Sequence, residues 1–128
     1  MVIAATQERF CLVCGKRFSG YEQSRGDWAE VRYCSQSCHE RRLLPSDRRL
    51  EAAIEMLLAW RESKNLGATL APEEAARFVD RLGWRSLMDA TFMAARRLAV
   101  SDRLEFLQDG EVVDPDLADG PIQLRRKR

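Results

Sequence analysis

Four cysteines constrain this chain more than any other feature. They fall in its first third as Cys11-x2-Cys14 and Cys34-x3-Cys38, with 19 residues between the pairs. Zinc takes four ligands in a tetrahedron, and two close pairs of thiolates supply them at little loop entropy. Gly15 follows the second cysteine, where a tight knuckle favours positive φ. Phe18, Val31 and Tyr33 fit the arms of a hairpin leading into Cys34. Ser35 is placed to cap a short helix, Gln36 to about Leu43, that carries Cys38. A segment of about 45 residues seldom builds a sufficient core without such a staple.

Two disulfides, or four unrelated core cysteines, are the competing readings. The spacing argues against both. Glu8 and Arg9 stand where a secretory signal needs its apolar stretch, and no apolar run is long enough to span a bilayer, so a cytoplasmic, reducing setting is expected. His39, the single histidine, adjoins Cys38 and is read as a solvated helix residue, because four thiolates already fill the shell. A closed shell leaves no position for a catalytic water. The expectation is one structural Zn2+ on Cys11, Cys14, Cys34 and Cys38.

The motif Cys11-x2-Cys14-Gly15-Lys16-x-Phe18, followed by Trp28-x2-Val31-x-Tyr33-Cys34-Ser35-x2-Cys38, resembles a small bacterial zinc-finger family of unknown function. Its layout is similar to treble-clef fingers such as the zinc protein that inhibits DNA gyrase. The chain departs from that family at Gly20-Tyr21-Glu22-Gln23-Ser24, where the family carries Trp and basic residues.

Leu44-Pro45-Ser46-Asp47 divides the chain into a finger (1–45) and a second domain (46–128). Pro45 stops a preceding helix, Ser46 can cap the next, and Asp47 favours its positive end. From Asp47 to about Ser63, Leu50, Ala53, Ile54, Leu57 and Leu58 recur at helical spacing. Ala68-Thr69-Leu70 is a short extended piece. Pro72, Glu73 and Glu74 open a second helix with Ala75, Ala76, Val79 and Leu82 on its apolar face and Gly83 as its stop. A third helix runs from Trp84 or Arg85 to Val100, its inner face Trp84, Leu87, Met88, Thr91, Ala95 and Leu98. Arg103–Gln108 and Glu111–Asp114 read as strands around an Asp109-Gly110 turn, and Ile122–Arg125 as a last short strand. The whole is expected to be α+β, a treble-clef-like four-cysteine zinc finger followed by a winged helix-turn-helix-like domain.

Residues 48–126 resemble a second bacterial family of unknown function, through Glu51-Ala52-Ala53-Ile54, Trp84-Arg85-x-Leu87-Met88, Ala95-Arg96-Arg97-Leu98, Val112-Val113-Asp114-Pro115 and Gly120-Pro121-Ile122. The resemblance implies a winged-helix-like domain and brings no activity.

Formal net charge is +1, which conceals a segmented distribution. Residues 1–45 hold seven basic and five acidic side chains, 46–124 ten and fifteen, and Arg125-Arg126-Lys127-Arg128 close the chain. If the third helix is a recognition helix, Arg85, Ser86, Asp89, Met93, Arg96 and Arg97 form its outer face. Arg85, Arg96, Arg97, Arg103 and the tail Arg125, Arg126, Lys127 and Arg128 are then the candidate contacts to nucleic acid. Asp89 and the acidic middle count against that reading. Asp114-x-Asp116-x-x-Asp119 fails the register of a calcium loop and reads as turn residues. No phosphate loop, nucleophile elbow or histidine-based catalytic pair is present. The expected function is a non-enzymatic module that binds DNA or RNA, or a regulatory one; the alternative is an adaptor docking on an enzyme. No membrane association and no small-molecule substrate are expected.

Overall fold

The computed structural model describes residues 8–19 and 31–127. Trp28 and Gly20–Ser24 of the finger motif, and Arg128 of the tail, lie outside the described residues.

The finger begins with strands β1 (Glu8–Phe10) and β2 (Arg17–Ser19), paired antiparallel with Arg9 opposite Phe18. The hairpin therefore wraps the first cysteine pair. The expected arms Val31 and Tyr33 lie instead in irregular backbone packed against the cysteines. Helix α1 spans Gln36–Arg41, with the Ser35 hydroxyl accepting from the Cys38 N–H at 3.2 Å. It stops earlier than expected because Arg42 takes a φ of 59°.

Helix α2 (Pro45–Glu62) follows after three residues. Ser46 is not its cap. Leu44 occupies that position, Pro45 opens the helix, and the Asp47 carboxylate reaches back to accept from the Leu44 N–H at 2.7 Å. Leu50, Ala53, Ile54 and Leu58 are buried, as their spacing predicts. Strand β3 (Thr69–Leu70) leads into α3 (Pro72–Val79). Helix α3 ends before Gly83: the Asp80 carboxylate accepts from the Leu82 and Gly83 N–H groups and turns the chain. Leu82 leaves the apolar face and is 93% exposed. The third helical stretch is a 3-10 turn, Trp84–Leu87, followed by α4 (Met88–Val100).

Strands β4 (Leu104–Gln108), β5 (Glu111–Val113) and β6 (Gln123–Arg126) join β3 in a sheet of order β3-β6-β4-β5. Every pairing is antiparallel. Asp109 and Gly110 both have positive φ, the geometry a two-residue hairpin turn demands. Helices α2, α3 and α4 pack on one another, and the sheet closes the core with Leu70, Leu104, Phe106 and Leu124. The fold is α+β, with the finger's cysteine cluster forming a second, smaller core. Among the described residues no helix is long and apolar enough to cross a membrane.

Candidate metal centre

The knuckle between β1 and β2 is built by its own backbone. The Cys11 N–H donates to the Lys16 carbonyl at 2.9 Å, and the Gly15 N–H to the Cys11 carbonyl at 3.1 Å. The Val13 and Cys14 N–H groups point at Cys11 Sγ, at 3.4 and 3.5 Å. Helix α1 brings Cys38 from the other side. The four Sγ atoms lie within 4.8 Å of one another. Cys14 to Cys34 is 3.6 Å and Cys34 to Cys38 is 3.8 Å. Metal–sulfur bonds of about 2.3 Å in a tetrahedron put sulfurs about 3.8 Å apart, whereas a disulfide needs about 2 Å. All four cysteines are free thiols, and the donor set fits a metal ion. His39 is exposed, its ring edge-on to Tyr33 at 5.0 Å, and is not part of the cluster.

The thiols are electrostatically unequal. Burial pushes the Cys11 thiol up, but the N–H groups of Cys14, Cys34 and Val13 outweigh it and bring the pKa down to about 7. Burial, with the charge of Cys11 and hydrogen bonds among the thiols, pushes Cys14 and Cys38 up. A bound cation would draw all four toward the thiolate.

The finger is fastened to the helical unit by side chains that sequence reasoning assigned elsewhere. Arg97 does not lie on an outer face. It is 8% exposed, and donates from Nη1 to the Val13 carbonyl at 2.5 Å, from Nε to Glu51 at 2.5 Å and from Nη2 to the Asp47 carbonyl at 3.3 Å. Arg96 Nε donates to the Cys14 carbonyl at 2.7 Å. Met93 packs on the cysteine cluster. That side of α4 is covered by the finger because its carbonyls need donors, and two adjacent arginines supply them. Arg17 reaches the other way, to Asp114 and, at 3.1 Å, to Asp116. The aspartates thus serve as turn residues and as an anchor, with Asp114 also accepting from the Asp116 N–H.

Most of the other predicted cations are tied down too. Arg103 pairs with Glu55 at 2.6 Å, Arg125 with Glu105 at 2.6 Å, Arg126 with Glu62 at 3.1 Å and Lys127 with Asp102 at 3.0 Å. Arg85 alone of the described candidates stays exposed without an acidic partner. Its guanidinium lies 4.5 Å from the centroid of the Trp84 ring, and that of Arg77 lies 4.2 Å away. Sequence reasoning missed Arg77 and Arg41, which grips the buried Asp47 at 2.7 Å. The spacing of Arg77 from Trp84 carries no signal, since the turn at Asp80 decides their meeting.

Residues 47–127 match a family described as a protein of unknown function (DUF3253), and residues 4–41 match one described as an uncharacterized protein conserved in bacteria (DUF2256). No curated protein matches the chain.

Proposed function

The chain belongs to the DUF3253 family, and from its geometry we propose that it is a non-enzymatic, protein-binding module stapled by one structural zinc ion. Zinc suits the all-sulfur donor set and the sulfur separations. A four-thiolate shell has no open position for a substrate or a reactive water. In the groove between β1, α4 and β4–β5 the wall residues Arg17, Asp102, Glu105, Asp114, Asp116 and Lys127 are paired in salt bridges, which favours a structural use of their charges.

The observation that carries the choice of partner is the internal use of the cations. Phosphate contact needs guanidinium groups free to meet it; Arg96 and Arg97 are taken up by the finger, and Arg103, Arg125, Arg126 and Lys127 would first have to leave their acidic partners. What the surface offers is a corner where α3 meets the 3-10 turn. There Trp84 meets Arg77 and Arg85, and Phe78 (58%) and Leu82 (93%) of the same chain segment are exposed. Trp and Arg beside exposed apolar side chains is the composition of protein-interface hot spots. The order helix, strand, helix, helix, hairpin supports a winged-helix-like reading of this unit, a layout that binds proteins as well as DNA.

Nucleic acid is the second reading. It draws on Arg77, Arg81 and Arg85, which form no salt bridge among the described residues. The test is capture by the immobilised full-length chain, with Trp84→Ala combined with Leu82→Ser as the comparison. The protein reading expects one zinc per chain and a discrete partner retained after nuclease treatment and at raised salt, lost in the double variant. Duplex binding that falls steeply with salt and disappears in an Arg81→Ala, Arg85→Ala variant would replace it with the nucleic-acid reading.

A further inference from the structure

We propose that the metal centre is completed from the helical unit, with Arg97, and Arg96 beside it, acting as positioning residues for the thiolate shell. The inference rests on the reading of the four cysteines as a metal site.

A divalent ion held by four thiolates has a net charge of about −2. A buried anion of that kind requires compensation, and the groups around the ligands tune their hold on the ion. Within the finger, the Val13 and Cys14 N–H groups donate to Cys11 Sγ. The Cys14 N–H shares its peptide unit with the Val13 carbonyl, and that carbonyl accepts from Arg97 Nη1 at 2.5 Å. Cation, carbonyl, N–H and sulfur therefore stand in one hydrogen-bonded line. Polarisation accumulates along such a line in a low-dielectric interior. The Arg97 guanidinium makes the Cys14 N–H a stronger donor to Cys11 Sγ.

Arg96 acts on the next peptide. Its Nε holds the Cys14 carbonyl at 2.7 Å, and the N–H of that same peptide, from Gly15, closes the knuckle onto the Cys11 carbonyl at 3.1 Å. The Arg97 fork is also held from the helical side. Glu51 and the Asp47 carbonyl fix its other nitrogens, and it is buried against Val13, which is 0% exposed. A lysine has no planar fork to reach all three.

The test compares full-length wild type, Arg97→Met and Ile54→Val, each loaded with zinc or cobalt and titrated against a chelator. Arg97→Met keeps much of the volume and removes the charge. It is expected to weaken metal affinity about 10–100-fold and to move the cobalt–thiolate absorption band to longer wavelength, because Cys11 loses a polarised donor. Ile54→Val thins the helical core and leaves Arg97 and the knuckle bonds in place. It is expected to lower the melting temperature while keeping the metal affinity close to wild type. The shared centre is overturned if Arg97→Met holds metal as tightly as wild type, or if Ile54→Val loses it to the same extent. A wild-type chain that takes up no metal would instead overturn the cysteine reading.

Discussion

Arg97 and Val13 are 84 positions apart in the chain, yet the guanidinium of one donates to the backbone carbonyl of the other at 2.5 Å, with both residues buried. Two units that meet in sequence at Pro45 thus share an interior contact.

That contact makes Gly15 sensitive. Its φ is +75°, and a Cβ there would stand 2.7 Å from Arg96 Cβ and 2.9 Å from the backbone of α4. Gly15→Ala must either shift the helix or lift the knuckle. A loss of about 1–3 kcal/mol is expected from backbone strain and overpacking. Chemical denaturation measures it, and hydrogen exchange should place the added opening at residues 11–16 and 93–97.

Metal removal should act unevenly. The finger's core is mostly its cysteines, whereas the helical unit has its own cluster of Leu50, Ile54, Leu58, Phe106 and Leu124. Chelation is expected to abolish protection of the finger amides while those of α2 and β4 persist. Acid should do the same. Protons compete with the ion for each thiol, so retention falls as pH is lowered. Metal content after dialysis across a pH series checks the direction.

Asp47 is 1% exposed. Burial alone would push its carboxyl up; Arg41 and the Leu44 N–H outweigh that and hold it below the usual range. A carboxyl with a depressed folded pKa stabilises the fold above its unfolded pKa, about 3.9, and that contribution is lost as pH falls through the folded value. Asp47→Asn keeps an acceptor for the cap but strips the charge from Arg41. It is expected to cost about 1–3 kcal/mol at neutral pH. The gap from wild type should shrink as acid protonates the native aspartate. Urea unfolding at several pH values measures both.

Phe106 and Val112 sit on adjacent strands with opposite fates, at 1% and 59% exposure. Phe106→Ala is expected to cost about 3–5 kcal/mol, and Val112→Ala to stay within about 0.5 kcal/mol. Equal effects in thermal melts would place the core on the wrong face of the sheet.

Local features were legible in the sequence. The paired cysteines, the Ser35 cap, the periodic Leu50, Ile54 and Leu58, and the Asp109-Gly110 turn each declare themselves within a few residues. What sequence could not carry was the meeting of distant parts. Arg96 and Arg97 look like a basic face because nothing nearby in sequence claims their charge; the claimants, Val13 and Cys14, are more than 80 positions away. Leu82 fits the apolar face of a helix stopped at Gly83, but the Asp80 carboxylate offers the Leu82 and Gly83 N–H groups a competing partner and ends α3 early.

The short tie between α1 and α2, only Arg42, Leu43 and Leu44, settles how strong the finger's grip on α4 has to be. So brief a leash confines the knuckle near its receptor at an effective concentration of the millimolar order. A contact too weak to assemble two separate proteins is then saturated within one chain. The finger needs no large apolar interface to stay seated, which is why three arginines, the carbonyls and aspartates they meet, Met93 and a glycine suffice where independent partners would require a broad buried surface.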